Sequence, residues 1–216
     1  MNLSKRLEAV ATLVDVGKRV IDVGCDHAYL DIYLTQNNDN ECIATDINKN
    51  ALESAISNIK KYGLEKKIKT KLTDGLKGLK IKQTDNIVIC GMGTSTILDI
   101  LKTNELSETL IISSNNNLDL LRREVVAKGY VIDSEIFLID KGKPYVIIKF
   151  KKGIKKYKEN DYMFGPFLKN NKQYRKYLIK KNKEILKKVS LTQLKARFRY
   201  LLLILRLRLL DIKIDF

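Results

Sequence analysis

The sequence holds a single histidine, His27, and three cysteines, Cys25, Cys42 and Cys90, in no Cys-x-x-Cys pair. One imidazole and scattered thiols cannot assemble the usual zinc ligand sets, so no metal site is expected. An odd cysteine count without ligand spacing argues for reduced thiols in the cytosol rather than a disulfide framework. Long apolar runs are lacking too. The densest, Tyr200 to Leu205, is far too short to span a bilayer and is followed by Arg206 and Arg208. The chain opens on Asn2-Leu3-Ser4-Lys5-Arg6 rather than the apolar core of a secretory signal. A soluble, cytoplasmic protein with no membrane partner is expected. Acids are scarce in one place: residues 167–216 contain Glu184, Asp211 and Asp215 and no others.

What is present is an uneven charge. Of a net +16, residues 1–150 contribute 21 Lys+Arg against 20 Asp+Glu, and residues 151–216 contribute 20 against 5. A balanced globular domain followed by a basic module is the simplest reading, and such a module suits nucleic acid first and an anionic surface second.

The stretch Arg19 to Leu30 organises the balanced part. Val20 to Val23 reads as a short buried strand, Gly24 as a tight stop, and Ala28-Tyr29-Leu30 as the start of a helix. A strand that turns on a glycine straight into a helix directs backbone N–H groups and the positive helix end at a nucleotide. The dinucleotide spacing G-x-G-x-x-G is replaced here by Gly24-x-Asp26-x-Ala28, with an acid at the second glycine. That acid would repel a phosphate, which points to a phosphate-free nucleotide with cationic groups, S-adenosylmethionine; the alternative is an ordinary α/β strand–turn–helix.

Around it the elements alternate. A helix over residues 4–15, with Ser4 as its N-cap, precedes the first strand. Strands follow at Cys42 to Thr45, Ile68 to Leu72, Asn86 to Cys90 and Leu110 to Ile112, with helices to about Leu34, from about Lys49 to Lys61, from Thr96 to Leu101 and from Leu118 to Lys128. The last two strands, Val131 to Leu138 and Tyr145 to Phe150, have no helix between them, so one member must run antiparallel. Ligands of such sheets sit outside the carboxyl ends of the strands. Each strand top there is small or polar: Gly24 to His27, Asp46, Asp74-Gly75, Gly91 to Gly93, and Ser113 to Asn117. Asp46, 24 positions after Asp22, stands where a carboxylate accepts ribose hydroxyls, or else caps the next helix. In the tail, Tyr174, Tyr177, Leu178, Ile185 and Val189 line one side of a helix, and Ser190-x-x-Gln193 reads as a capping box opening a second. Leu205 to Leu209 alternates with arginine like a strand.

Asp22-Val23-Gly24-Cys25-Asp26-His27-Ala28-Tyr29-Leu30 resembles the D-I-G-S-D-H-A-Y-L signature of bacterial tRNA adenine-22 N1-methyltransferases. Asp74-Gly75-Leu76, Gly91-Met92-Gly93, Lys141-Gly142-Lys143-x-Tyr145 and Phe164-Gly165-Pro166 follow in the order of that family. The resemblance implies an α/β, Rossmann-like methyltransferase sheet, mostly parallel with an antiparallel C-terminal hairpin strand. It also implies a C-terminal pair of antiparallel, coiled-coil-like helices that grips tRNA. The domains expected are residues 1–153 for catalysis, 154–166 as linker and 167–216 for tRNA, in a chain favoured to be monomeric. S-adenosylmethionine is expected on Asp22, Gly24, Cys25, Asp26, Asp46, Ile47, Asp74, Gly75, Gly91 and Met92, with Asp26, His27 and Asn115 as catalytic candidates. Asp26 doubles as a possible N-cap, His27 as a structural histidine and Asn115 as a loop cap. Methylation of another RNA, and RNA binding without catalysis, are the rival functions. The chain departs from the family at Thr94, where it has a second glycine, at Ser113-Ser114, where it has Gln-Pro, and in its acid-poor tail.

Overall fold

The computed structural model describes residues 2–102 and 106–212 and divides into two compact units, residues 1–156 and 157–216. Among the described residues of the first unit, seven strands form one sheet in the order β3-β2-β1-β4-β5-β7-β6. They are β1 (Val20–Val23), β2 (Cys42–Asp46), β3 (Ile68–Leu72), β4 (Asn86–Met92), β5 (Thr109–Ser114), β6 (Tyr130–Asp140) and β7 (Lys143–Lys152). β1 to β5 pair in parallel, and β7 lies antiparallel between β5 and β6. The central strands are buried throughout: Val20, Ile21, Ile87 to Ile89 and Leu110 to Ile112 expose essentially nothing. Strands covered on both faces need continuous apolar runs, and these segments supply them.

The covering helices are α1 (Lys5–Ala11), α2 (Tyr29–Asn38), α3 (Lys49–Lys61), α4 (Thr94–Ile100) and α5 (Leu118–Ala127). α1, α2 and α3 pack as neighbours, as do α4 and α5. The chain winds outward from β1 to β3, then returns to build β4 and β5 on the other side of β1. With right-handed crossovers this places the two helix groups on opposite faces and leaves a crevice where the strand order reverses, between the tops of β1 and β4.

α1 is shorter than the expected span 4–15, although Ser4 caps it by accepting the Leu7 N–H at 3.3 Å. α2 runs four residues beyond Leu34, so Gln36 to Asn38 form its last turn and Asp39 ends it in a left-handed conformation. The hairpin is longer than expected. Lys141 (φ 48°) and Gly142 (φ 77°) make a two-residue turn of the kind that matches strand twist, which extends pairing to Asp140↔Lys143.

The second unit contains α6 (Glu159–Phe164), α7 (Lys172–Lys188) and α8 (Leu194–Ile212). α6 falls within the stretch 154–166 expected as a linker. Asp161 accepts the Lys158 N–H at 2.8 Å and pairs with Lys169 at 2.7 Å, closing this short helix onto the loop after it. α7 and α8 pack together across a short turn. Arg197, from the start of α8, donates to the Val189 and Leu186 carbonyls at 2.9 and 3.4 Å and so satisfies acceptors that the end of α7 leaves unpaired. The expected capping box does not form. α8 starts at Leu194, and the Ser190 hydroxyl accepts the Thr192 N–H one turn earlier. Leu205 to Leu209 is helical rather than strand-like, with Ile204 and Leu207 buried, because the apolar positions also satisfy helical spacing. Residues 213–216 of the expected tail lie outside the described residues.

Candidate active site at the carboxyl edge of the sheet

The turn after β1 is built from unusual backbone. Gly24 (φ 81°), Asp26 (φ 52°) and Ala28 (φ 54°) are all left-handed, and the Gly24 and Cys25 N–H groups donate to the Thr45 carbonyl at 2.8 and 2.9 Å. A Cβ on Gly24 would stand 2.6 Å from Met92 Cε, so the glycine is required both by φ and by the close approach of β4. α2 starts from Ala28 with no side-chain cap, which removes the alternative role of Asp26 as an N-cap. Asp26 is instead exposed, with its Oδ1 3.5 Å from His27 Nε2. The His27 ring lies beside Tyr29, centroids 5.5 Å apart, and its carbonyl accepts from Asn58 Nδ2 at 3.0 Å.

Contacts link the other strand tops in one line. Asp46 Oδ2 accepts the Asp26 N–H at 3.3 Å, and Asp46 Oδ1 accepts the Asn48 N–H at 2.8 Å. The cap of α3 is Asn48, not Asp46. The Thr73 N–H donates to the Asp46 carbonyl at 3.0 Å, which brings the β3 top alongside. There Asp74 is tied to Lys77 at 2.5 Å and Gly75 (φ 61°) packs over Ile100. Ile47, the residue after Asp46, is 70% exposed. On the other side, Asn115 Nδ2 donates to the Gly91 carbonyl at 2.9 Å and the Asn115 N–H to the Met92 carbonyl at 3.0 Å. Asp74, Asp46, Asp26, Gly24, Met92, Gly91 and Asn115 are thereby joined along one edge.

Two residues of this edge escaped sequence reasoning. Arg6 reaches from α1 to within 3.4 Å of a Gly91 Cβ and lies over the Tyr145 ring at 5.4 Å; its N–H donates to Asp140 Oδ2 at 3.3 Å. No local motif marks it, because packing of α1 on the hairpin delivers it. Asp31, on the first turn of α2, is fully buried against Asp22. Burial pushes the Asp22 carboxyl up to about 7, against the pull of Asp31 and Arg6, with Asp46 adding to the rise. Burial likewise raises the Cys25 and Cys90 thiols, the latter to about 12, so neither is a nucleophile near neutrality.

The family departures meet in one knot. Thr94 Oγ1 lies 2.8 Å from Ser114 Oγ and donates to the Asn116 carbonyl at 2.6 Å, while Asn116 Oδ1 accepts the Thr94 N–H at 3.0 Å. The Ser113 hydroxyl donates to the Val146 carbonyl at 2.9 Å.

Acids dominate this edge: Asp26, Asp46 and Asp74 stand at three strand tops, and Asp22 lies behind the first. This donor set fits a ligand with ribose hydroxyls and positive charge better than one with phosphates. Among the described residues no group of three or more His, Cys, Asp or Glu could hold a metal ion, and no helix is long and apolar enough to cross a membrane.

Comparison with known proteins agrees with this chemistry. A family described as a methyltransferase domain matches residues 3–148. A tRNA (adenine(22)-N(1))-methyltransferase of Bacillus subtilis (strain 168) is 32% identical over 158 residues, 71% of this chain and 66% of the relative, slightly under two thirds of its length. The structure of M. capricolum TrmK in complex with S-adenosyl-homocysteine superposes with a TM-score of 0.85 at 34% identity, covering 97% of this chain and 98% of that one. Sp1610 of Streptococcus pneumoniae, solved with S-adenosyl-L-methionine, gives 0.88 at 31% identity over 97% and 99% of the two chains.

Proposed function

The chain belongs to the TrmK family of methyltransferases, and on that premise we propose that it methylates N1 of adenine at position 22 of tRNA with S-adenosylmethionine. The observation that carries this reading is the continuous polar edge from Asp74 to Asn115, with Asp26 in place of a phosphate-binding glycine.

S-adenosylmethionine supplies an electrophilic methyl group on a sulfonium. Asp46 would accept its ribose hydroxyls, since its two oxygens are aimed by the Asn48 and Asp26 N–H groups. Asp22 and Asp26 offer negative charge to the methionine end, beside the Gly24 turn. Gly91 and Met92 form the β4 wall, with Cys25 and Ile47 flanking and Asp74-Gly75 at the far side. Adenine N1 carries an in-plane lone pair, so the enzyme needs no base; it must hold N1 in line and stabilise the cation that forms. Asp26, with His27 beside it, is placed for that charge. Asn115 donates its amide to Gly91, and its Oδ1 is the acceptor assigned to the adenine N6 amine. The base must leave its stack to enter such a site.

The second unit would bind the tRNA backbone. Lys172, Lys176, Lys180, Lys183 and Lys187 recur at helical spacing along α7, all exposed. The test is to incubate the purified protein with S-adenosylmethionine and a tRNA bearing A22, and to map the product nucleotide by nucleotide. N1-methyladenosine at position 22 is expected; methylation elsewhere, or none with cofactor bound, overturns the assignment.

A further inference from the structure

Beneath the Gly24 turn two acids are buried as neighbours. Asp22 on β1 is 6% exposed and Asp31 on α2 is 0% exposed. Each carboxyl group acts on the other's ionisation, so the two lie side by side. Two carboxylates offer acceptors and no donor, so a bond between them requires a proton. Among the described residues no donor reaches either Asp31 oxygen by ordinary hydrogen-bond geometry, and an unpaired charge buried this deeply would be costly.

The neighbours on every side leave the pair as the group that titrates. Arg6 from α1 favours ionisation of Asp22, and Asp46 from β2 opposes it. The Cys90 thiol from β4 also faces Asp22, and Cys25, from the turn itself, faces both acids; the Cys42 thiol from β2 faces Asp31. Burial raises all three thiols, which stay neutral at physiological pH.

We propose that Asp31 is a positioning residue that shares one proton with Asp22, and that this proton leaves when the ammonium of the cofactor's methionine end settles at Asp22. The step is a simple ionisation. The O–H bond breaks, its electron pair stays on the carboxyl group, and the proton passes to water through the small opening at Asp22. The ammonium then replaces the proton as the positive charge facing the pair. Cofactor binding is therefore coupled to pH, tightening as pH rises until the pair is ionised in the free protein. Asp31 does this without touching the cofactor. The inference rests on the cofactor reading above and adds a proton and a residue to it.

Calorimetry of S-adenosylhomocysteine binding to the full-length protein, in two buffers of different ionisation enthalpy, counts the proton directly. At about pH 6.5 more than half a proton should be released, and affinity should rise roughly tenfold between about pH 6 and 7.5. In Asp31→Asn the amide can donate to Asp22 but carries no removable proton. Release should fall close to zero and the affinity should become flat over the same interval. His27 is present in both proteins, so its contribution cancels in the comparison. Binding without proton release in the wild type, or equal release in the variant, overturns the proposal. Absence of any binding overturns the cofactor reading instead. Should Asp31→Asn fail to fold, carbon-13 spectra of the wild-type aspartates decide: a carboxyl titrating near neutrality should vanish on saturation with S-adenosylhomocysteine, and one that persists unchanged counts against the shared proton.

Discussion

Asp22 makes the stability of the free protein depend on pH with a definite sign. Its ordinary value is 3.8, and in the fold burial holds it at about 7. The folded state therefore binds more protons than the unfolded chain between these values, and stability falls as pH rises through them. Between pH 6 and 8 the loss should be on the order of 1 kcal/mol for one such group. The unliganded protein should melt at a lower temperature at pH 8 than at pH 6, and Asp31→Asn should flatten that difference. An unchanged slope in the variant would place the effect elsewhere. Asp46 tests the cofactor site itself. Asp46→Ala should weaken S-adenosylmethionine binding by roughly 1–3 kcal/mol through loss of charge-assisted hydrogen bonds, and unaltered affinity in a folded variant would remove it from the ribose site. Thr94 tests the knot between β4 and β5. Its hydroxyl meets Ser114 and Asn116, so two departures from the family pattern are hydrogen-bonded partners. Thr94→Val keeps the shape and removes the hydroxyl, and should cost about 1–2 kcal/mol in urea denaturation.

At the scale of elements, α7 presents its lysines as a row about as long as the helix, roughly 26 Å for 17 residues. Exposed ammonium groups contribute little to folding, which frees them for phosphates. Replacing Lys176, Lys180 and Lys183 with Gln should make the salt dependence of tRNA binding shallower by about 2–3 in the log–log slope. The fold should be undisturbed, and filter binding from low to moderate salt reads the slope. An unchanged slope would move the phosphate contacts off this helix. The elements were legible where a local signal was strong: β1 and β3 keep their expected bounds, and α3 appears from Lys49 to Lys61 because Leu52, Ala55 and Ile59 recur at helical spacing and are buried. The edge residues followed from the rule that ligands sit at strand tops, so Gly24, Asp46 and Gly91 could be named without coordinates. Arg6 and Asp31 could not. One is carried to the edge by helix packing, and the other is an acid inside a helix whose partner lies nine residues back on another element. Ser190 misled for the opposite reason: its spacing to Gln193 fits a capping box, but the backbone spends it on a turn before α8 begins.

At the scale of the whole molecule, chemistry and charge are divided between the two units. Residues 1–156 contain every residue assigned to the cofactor or to catalysis, while residues 157–216 carry 16 Lys+Arg against 5 Asp+Glu. The sheet, its helices and the Asp22–Asp31 pair all close within the first unit, so a chain ending at Lys156 should fold and bind S-adenosylhomocysteine within about twofold of the full protein. Its tRNA affinity should drop steeply, because neutralising phosphates dominates binding to nucleic acid, and its salt slope should be shallower by several units. Two basic side chains of the first unit are already engaged. Arg19 is held by Asp85 at 2.6 Å and by the Lys80 carbonyl at 2.8 Å, and Lys149 is paired with Asp15 at 2.6 Å. A truncated protein that binds cofactor but methylates tRNA only at greatly raised RNA concentration would confirm the division, with KM rising far more than kcat falls. If methylation were undiminished instead, the RNA surface would have to lie on the first unit near Arg6 and Lys18, and the basic helices would need another ligand to account for their charge.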